Sequence, residues 1–549
     1  MNDRLIDAIS KSISDNWNSD ALSDFQGKTI TFGELAARIA RTHLLYRAVG
    51  IKPGDRIALC AKNSAEWAAT FLGALTYGAV VVPLLHEFQP GNIVHLVTHA
   101  DAKLLFTEKA IADNLDMEQM PKVEGVVLLN DFAVAFERED KLKTAIEGLD
   151  LMFRRLYPSG YTASDIRYAT RLATDLALIN YTSGSTGNSK GVMISYGNLW
   201  SNISFALKNI SFLHPGEGML SMLPLAHMYG LVFEFLFPIC RGAHITFLGR
   251  VPSPKIVLDA FAQVKPKVVI TVPLVIEKIV RGKVFPIMKK ASMRSMTAIP
   301  GLRRVVFDKV KKQLLEAFGG NLQQLILGGA PLTADVEEFL RKIKFPFTVG
   351  YGMTECAPLI TYEWWETQRL HSCGRIVDGM IARIDSPDPK KQPGVLYLKG
   401  PNVMKGYFRN EEATRETISE DGWLNTGDIC TMDEDGFIYI RGRAKNMILG
   451  PSGQNIYPEE VEIVLNDLPL VGESIVVERS GKLVALVHPD YDTARKEGLT
   501  EEDANSQVSA LLPELNKALP AYARVSEIEI HTDEFEKTPK HSIRRFIYK

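Results

Sequence analysis

Tyr181-Thr-Ser-Gly-Ser-Thr-Gly-Asn-Ser-Lys190-Gly191 follows directly on the apolar run 176–179, Leu-Ala-Leu-Ile. A buried strand that opens into a hydroxyl- and glycine-rich loop aims that loop at a ligand. Glycines let backbone N–H groups approach an anion, hydroxyls donate further hydrogen bonds or bind a cation, and a lysine adds a point charge. That is chemistry for holding phosphate. The spacing differs from the P-loop pattern G-x-x-x-x-G-K-[ST], because Ser189 stands where that pattern has its lysine's glycine neighbour and Lys190 follows alone. Taken by itself, the segment reads equally as a flexible Ser/Gly surface loop.

Outward from the loop, short apolar runs alternate with helix-length amphipathic segments. Residues 56–60, 64–75 and 80–85 read as strand, helix and strand, and further strands are expected at 103–107, 125–129, 243–247, 268–272, 324–327 and 346–349. Near-continuous apolar strands of this kind belong to parallel sheets covered on both faces, so the class is α/β. From about residue 379 the texture changes to short alternating strands with turn signals, including 395–398 and 437–440, which predicts an antiparallel β subdomain. Beyond Arg443, a Gly/Pro/Ser loop at 450–453 and a helix opening at Pro458-Glu-Glu-Val-Glu462 predict a small C-terminal α+β domain. The expected division is 1–442 and 443–549.

Composition narrows the function. The 549 residues are 46% hydrophobic and 23% charged, which fits a multidomain globular protein and excludes a disordered or fibrous chain. A net charge of −2 supplies no bulk attraction to nucleic acid. Five scattered cysteines, Cys60, Cys240, Cys356, Cys373 and Cys430, contain no C-x-x-C pair, as expected of a reducing, cytoplasmic setting. The N-terminus lacks a basic start and apolar core of a secretory signal. Residues 68–85 are free of charge, yet Gly73, Gly78 and Pro83 interrupt them, so they are expected to form a helix followed by a buried strand rather than a membrane span.

Four more segments set turn glycines beside reactive side chains: Leu223-Pro-Leu-Ala-His227-Met-Tyr-Gly230, Gly328-Gly-Ala-Pro-Leu332, Gly350-Tyr-Gly-Met-Thr354-Glu355 and Gly422-Trp-Leu-Asn-Thr-Gly-Asp428. With 181–191, and with Lys52-Pro-Gly-Asp-Arg56, Asn402-Val-Met-Lys-Gly-Tyr-Phe408, Tyr439-Ile-Arg-Gly-Arg443 and Gly453-Gln-Asn-Ile-Tyr-Pro-Glu-Glu-Val-Glu462, the chain resembles the adenylate-forming, acyl-activating superfamily along nearly its whole length. Its texture is most similar to bacterial long-chain fatty acid CoA ligases. The resemblance implies an acyl-CoA synthetase-like fold with a mobile C-terminal domain. It implies a reaction in which a carboxylate attacks the α-phosphorus of ATP and a thiol then displaces AMP, with ATP, Mg²⁺ and CoA as partners of a fatty acid.

By the same resemblance, Thr182, Ser183, Gly184, Ser185, Thr186, Gly187 and Lys190 wrap the triphosphate, and Thr182 and Glu355 approach the metal. Thr354 bonds the α-phosphate. Gly328, Gly329 and Ala330, with Tyr351, Gly352 and Met353, border the adenine. Asp428 accepts from both ribose hydroxyls, Arg443 lies near ribose and phosphate, Lys445 is the hinge, the 450–454 loop nears the thiol channel and His227 lines the acyl-carboxylate pocket. On residue type alone, Glu355 and Asp428 read as cap or turn residues and His227 as a core histidine.

One departure stands near the end. The family motif T-x-x-G-K-I-x-R corresponds to Thr538-Pro-Lys-His-Ser-Ile-Arg-Arg545, in which Ser542 occupies the place of the catalytic lysine. Serine carries no charge, so Lys540, two residues earlier, is assigned that role through a shifted loop; a different cation and an impaired first half-reaction are the alternatives. The insertion 277–318 mixes many lysines and arginines with methionines and aliphatic residues, which fits either a solvated helix pair or a patch on the inner membrane surface. Competing outcomes are delivery of the acyl group to an acyl carrier protein instead of CoA, and a nucleotide- or acyl-binding protein without turnover.

Overall fold

Leu176–Thr182 is buried along most of its length and lies between Val80–Leu84, parallel to it, and Lys190–Ser195, antiparallel. Around it the computed structural model, which describes residues 4–182, 189–250, 253–449, 455–479, 481–537 and 543–548, builds a large mixed sheet. Its order is Val134–Glu137, Gly125–Leu128, Ala102–Thr107, Arg56–Cys60, Val80–Leu84, Leu176–Thr182 and Lys190–Ser195. The five inner strands run parallel and only the two edge strands reverse. Burial on both faces is why these strands read as unbroken apolar runs.

The charge-free stretch 68–85 divides as expected. Ser64 caps helix Ala65–Tyr77 by accepting from the Trp67 N–H at 3.1 Å, Gly78 ends it at φ 86°, and Val80–Leu84 continues as a strand. Among the described residues no helix is long and apolar enough to cross a membrane. Two further sheets complete the large α/β region. One is the parallel trio Val268–Thr271, Gln324–Leu327 and Phe347–Val349; the other is ordered Gly218–Ser221, His244–Phe247, Asp20–Asp24, Thr29–Thr31.

An antiparallel sheet of Ile381–Asp385, Gly394–Lys399, Leu424–Met432 and Ile438–Arg443 forms the β subdomain. Its last strand runs three residues past the expected end at 440, and this extension carries Arg443 opposite Asp428. The short turn Ala444–Asn446 leads out of it. A C-terminal sheet of Val471–Arg479, Lys482–Pro489 and Glu527–Ile530 packs with helices Pro458–Asn466, Glu501–Ser509 and Leu512–Ala518, as an α+β unit. Helix Pro458–Asn466 lies against strand Ile438–Arg443, with Glu460 3.6 Å from Arg441 and Glu459 accepting from Asn446 at 2.6 Å. At its far end Asp467 meets Arg281, which also holds Asp335.

The insertion is not a simple helix pair. It breaks into Pro273–Ile279, a π-helical segment Val280–Val284, Phe285–Met288, Ala291–Ala298 and Pro300–Ala317. Pro286 and Pro300 cannot donate within a helix interior, which accounts for two of the breaks. Val280, Val284, Val306, Val310 and Leu314 join the core built on the parallel trio, while Ile287, Met296, Ile299, Leu302 and Val305 stay exposed.

Candidate active site

Parallel strands end where loops gather, and the carboxyl ends of Leu176–Thr182, Gln324–Leu327 and Phe347–Val349 carry the three glycine-rich segments. Thr182 is the register partner of Lys190, so the two ends of the 182–190 loop are held side by side, with the Thr182 hydroxyl 3.4 Å from the Lys190 carbonyl. Ser183, Gly184, Ser185, Thr186 and Gly187 lie outside the described residues.

The strand that presents Lys190 pairs with the segment 402–408. The Met193 N–H donates to the Gly406 carbonyl at 3.0 Å, the Phe408 N–H to Gly191 at 2.7 Å, and Val192 forms a bridge with Tyr407. The Lys190 ammonium then lies over the Tyr407 ring, 4.7 Å from its centre, and the Tyr407 hydroxyl donates to Glu355 Oε1 at 2.9 Å. The Met404 N–H fixes the Glu355 carbonyl at 2.8 Å. Tyr407 therefore joins the loop lysine to the glutamate that sequence reasoning placed at a metal. The motif around it was visible in the sequence; its linking role was not.

Thr354 and Glu355 open a short turn, Thr354–Cys356, after Tyr351–Gly352. At Gly352 an added Cβ would fall 2.3 Å from the Pro358 carbonyl, and the neighbouring Met353 N–H donates to that carbonyl at 2.9 Å. Only glycine permits this approach. The Tyr351 hydroxyl donates to Asp428 Oδ2, and Arg443 Nε stands 2.7 Å from Asp428 Oδ1. Asp428 is 3% exposed. Burial pushes its carboxyl above the ordinary range, Arg443 and the Tyr351 hydroxyl pull it back, and Glu355 lies close enough to add like-charge repulsion. Burial, and then the Asp428 carboxylate beside it, raise the Tyr351 phenol well above its usual value, against the pull of Arg443. Two chains of contacts, Thr182–Lys190–Tyr407–Glu355 and Tyr351–Asp428–Arg443, thus meet in the one stretch 351–355 that carries both Tyr351 and Glu355.

The segment with His227 is brought in by side chains that sequence reasoning passed over. Buried Asn180, in the strand leading to the loop, donates to the Ala226 carbonyl at 2.8 Å, and Asn63 brackets the turn through the Leu223 carbonyl at 2.7 Å and the Leu225 N–H at 3.0 Å. Glu234, fully buried, accepts from the Ser221 hydroxyl and the N–H groups of Met222 and Leu223 at 2.8–3.1 Å. Burial drives its carboxyl well up, opposed by those three donors. A lone Asn or Glu inside an apolar run was the available signal, because a buried polar group must find partners. His227 itself is half-buried and opens the turn Met228–Gly230.

Tyr229 connects this segment to Gly328: its hydroxyl donates to the Ile326 carbonyl at 3.2 Å, and its ring lies 3.1 Å from where a Gly328 Cβ would sit. Gly329 has φ +84°, a left-handed turn that leaves Gly329 and Ala330 exposed at the strand end. Behind them a narrow apolar pocket is lined by Phe205, Ile210, Tyr229, Phe233, Ile326 and Leu359, among others.

Lys445 is exposed in the turn Ala444–Asn446 between the β subdomain and the C-terminal unit. Lys540, Ser542 and the 450–454 loop lie outside the described residues. Around the former, Lys537 is paired with Glu473 at 2.8 Å, Arg544 is 3.8 Å from Glu536, and Arg545 holds Glu462 at 2.6 Å.

Among the described residues no cluster of three or more His, Cys, Asp or Glu could cage a metal ion. The donors on offer, a carboxylate at Glu355 and a hydroxyl at Thr182, are hard oxygens. Such a pair suits Mg²⁺, which is typically held by one or two protein oxygens with the rest of its shell supplied by phosphate and water.

The family model described as AMP-binding enzyme matches residues 11–408, and that of the AMP-binding enzyme C-terminal domain matches 445–548. The chain is 28% identical to the long-chain-fatty-acid–CoA ligase FadD15 of Mycobacterium tuberculosis, covering 94% of this chain and 90% of that protein. It is 29% identical to the long-chain-fatty-acid–CoA ligase of Salmonella typhimurium, covering 95% and 89%. Among solved structures, ATP-bound MatB from Rhodopseudomonas palustris superposes with a TM-score of 0.77 at 25% identity, over 100% of this chain and 98% of that one.

Proposed function

Because the chain belongs to the AMP-binding enzyme family, we propose that it is an AMP-forming ligase that activates a medium- to long-chain fatty acid with ATP and transfers the acyl group to CoA. The observation that supports this reading is the pair of contact chains, Thr182–Lys190–Tyr407–Glu355 and Tyr351–Asp428–Arg443, that meet in the stretch 351–355. Relatives named long-chain-fatty-acid–CoA ligases cover nearly the whole chain and supply the acid class.

A free carboxylate repels nucleophiles and has a poor leaving group, so activation must precede thioester formation. The fatty acid oxygen attacks the α-phosphorus, forming the acyl-phosphate bond as the bond to pyrophosphate breaks. The CoA thiolate then attacks the acyl carbon and AMP leaves. Both steps spread negative charge over phosphate oxygens, so catalysis rests on positioning and electrostatics. Lys190 and the loop from Thr182 through Ser183–Gly187 grip the phosphates, and Thr354 bonds the α-phosphate. Asp428 accepts from the ribose hydroxyls beside Arg443. Gly328, Gly329 and Ala330, with Tyr351, Gly352 and Met353, border the base. Thr182 and Glu355 would hold Mg²⁺, which supplies charge neutralisation on the phosphate oxygens when bound.

His227 lines the carboxylate end of the acyl site. The domains divide at 442/443, and Lys445 is the pivot about which the C-terminal unit turns between the two half-reactions. Lys540 supplies the cation for the first of them. Among the described tail cations, Lys537, Arg544 and Arg545 are each engaged by a carboxylate, which supports giving this role to Lys540.

The insertion is the part suited to a bilayer. Residues 282–307 contain no acid, carry Lys283, Lys289, Lys290, Arg294, Arg303 and Arg304, and expose Ile287, Met296, Ile299, Leu302 and Val305. Basic charge interleaved with exposed apolar side chains fits an anionic lipid surface, where insoluble acids collect. Binding to anionic but not to neutral vesicles, lost when Arg303 and Arg304 are both replaced by glutamate, is the expected result; equal binding to both vesicle types refutes it.

The ligase reading is tested by mass spectrometry of acyl-CoA and AMP across fatty acids from short to long. Stoichiometric acyl-CoA and AMP with the longer acids is expected. Adenylate without CoA thioester would instead favour a carrier-protein acceptor, and no product with any acid refutes the ligase.

A further inference from the structure

We propose that Tyr407 is a positioning residue for the first half-reaction, setting the metal-binding carboxylate and the phosphate-gripping lysine through two different parts of one side chain. The inference rests on the ligase reading and extends it to a residue whose place in the site only the fold reveals. The hydroxyl end donates to Glu355 Oε1 at 2.9 Å, and the ring face lies under the Lys190 ammonium at 4.7 Å. Tyr407 is buried, 6% exposed, so neither end is free to drift.

Its backbone is fixed with equal care. The Tyr407 N–H donates to the Thr414 hydroxyl at 2.9 Å, and Tyr407 bridges Val192 in the strand that presents Lys190. The preceding Gly406 has φ +129°, and a Cβ there would fall 2.8 Å from the Thr414 methyl, so this turn admits only glycine. The peptide plane that aims the ring is thereby set by packing before any ligand arrives, and preorganised donors of this kind are what phosphate chemistry requires.

The two contacts do different work. A hydroxyl donated to Glu355 Oε1 holds one carboxylate oxygen in place and so orients the group. A ring face beneath Lys190 holds the ammonium by cation–π attraction rather than by an opposing charge. Removing the hydroxyl alone should therefore weaken metal dependence, and removing the ring should in addition weaken phosphate binding.

The experiment compares wild type, Tyr407→Phe and Tyr407→Leu. Mn²⁺ binding in the presence of ATP is read by electron paramagnetic resonance, and metal-free ATP binding by calorimetry in EDTA. Tyr407→Phe should lose about tenfold in Mn²⁺ affinity, as expected for one hydrogen bond to a charged group, with metal-free ATP binding unchanged. Tyr407→Leu should weaken metal-free ATP binding as well, by a few-fold. Wild-type Mn²⁺ affinity in Tyr407→Phe overturns the proposal, and Tyr407→Phe decides it alone if the leucine variant fails to fold. A wild-type protein that gives no fatty-acid-dependent pyrophosphate exchange would instead overturn the ligase reading, so the two failures are distinct.

Discussion

Replacing Asp428 by asparagine isolates the charge at the centre of the proposed nucleotide site. Asp428 is almost wholly buried, with Arg443 on one oxygen and the Tyr351 hydroxyl on the other. Its burial costs free energy in the empty protein, since its carboxyl is pushed above the ordinary range. Asparagine keeps the shape and removes that cost, while Arg443, 55% exposed, can return to water. The ligand-free variant should therefore unfold at or slightly above the wild-type temperature.

ATP binding should move the opposite way. A hydrogen bond to a charged acceptor contributes about 1.5–3 kcal/mol, so loss of one such interaction weakens ATP by roughly 10- to 150-fold. At ATP one hundred times the wild-type Kd, linkage stabilises the wild type by about 2.7 kcal/mol, whereas a fiftyfold weaker variant gains only about 0.6 kcal/mol. Calorimetric titration gives the affinity, and thermal unfolding with and without ATP gives the linkage. A folded Asp428→Asn protein with wild-type affinity and the full ATP-induced shift would refute the assignment of Asp428 to the ribose.

Lys540→Ala should abolish fatty-acid-dependent adenylate formation while thioester formation from supplied acyl-AMP persists; equal loss in both assays would remove Lys540 from the first half-reaction. Glu234→Ala strands the Ser221 hydroxyl and the Met222 and Leu223 N–H groups and should cost about 3 kcal/mol or more in denaturant unfolding, where an unchanged midpoint would contradict its role in holding the His227 turn. Glu462, buried, is pushed up to about 7 by desolvation, against the pull of Arg545. A carboxyl whose folded value lies above its unfolded value of about 4.5 binds its proton more tightly in the native state, so its contribution to stability declines as pH rises from about 4.5 to 7. Glu462→Gln should flatten that slope in pH-dependent unfolding, and an unaltered slope would assign the effect elsewhere.

Strand positions were legible because parallel strands buried on both faces leave an apolar signature that neighbours cannot blur. Arg56–Cys60 and Gln324–Leu327 fall where the sequence places them, and the helix-then-strand reading of 68–85 follows from Gly78 and Pro83. Edges were less legible: Ile438–Arg443 continues through Arg-Gly-Arg because its pairing with Leu424–Met432, not hydrophobicity, extends it. The insertion's division into short helices depends on prolines whose effect is local, while the choice of its buried face depends on a sheet contributed by residues on both sides of it. Glu355 and Asp428, which on residue type alone read as cap or turn residues, were singled out, with Thr182, only by the resemblance of the motifs around them. Asn63, Asn180 and Tyr407 act by reaching segments far away in the chain, and Glu234 by turning back on the loop before its helix; no spacing rule encodes those meetings.

The most direct test of the account is exchange of labelled pyrophosphate into ATP by the purified full-length chain, measured with and without a long-chain fatty acid. The account predicts exchange that requires both the acid and a divalent cation and that disappears in Lys540→Ala. A folded protein that binds ATP yet exchanges nothing with any acid from short to long would contradict it.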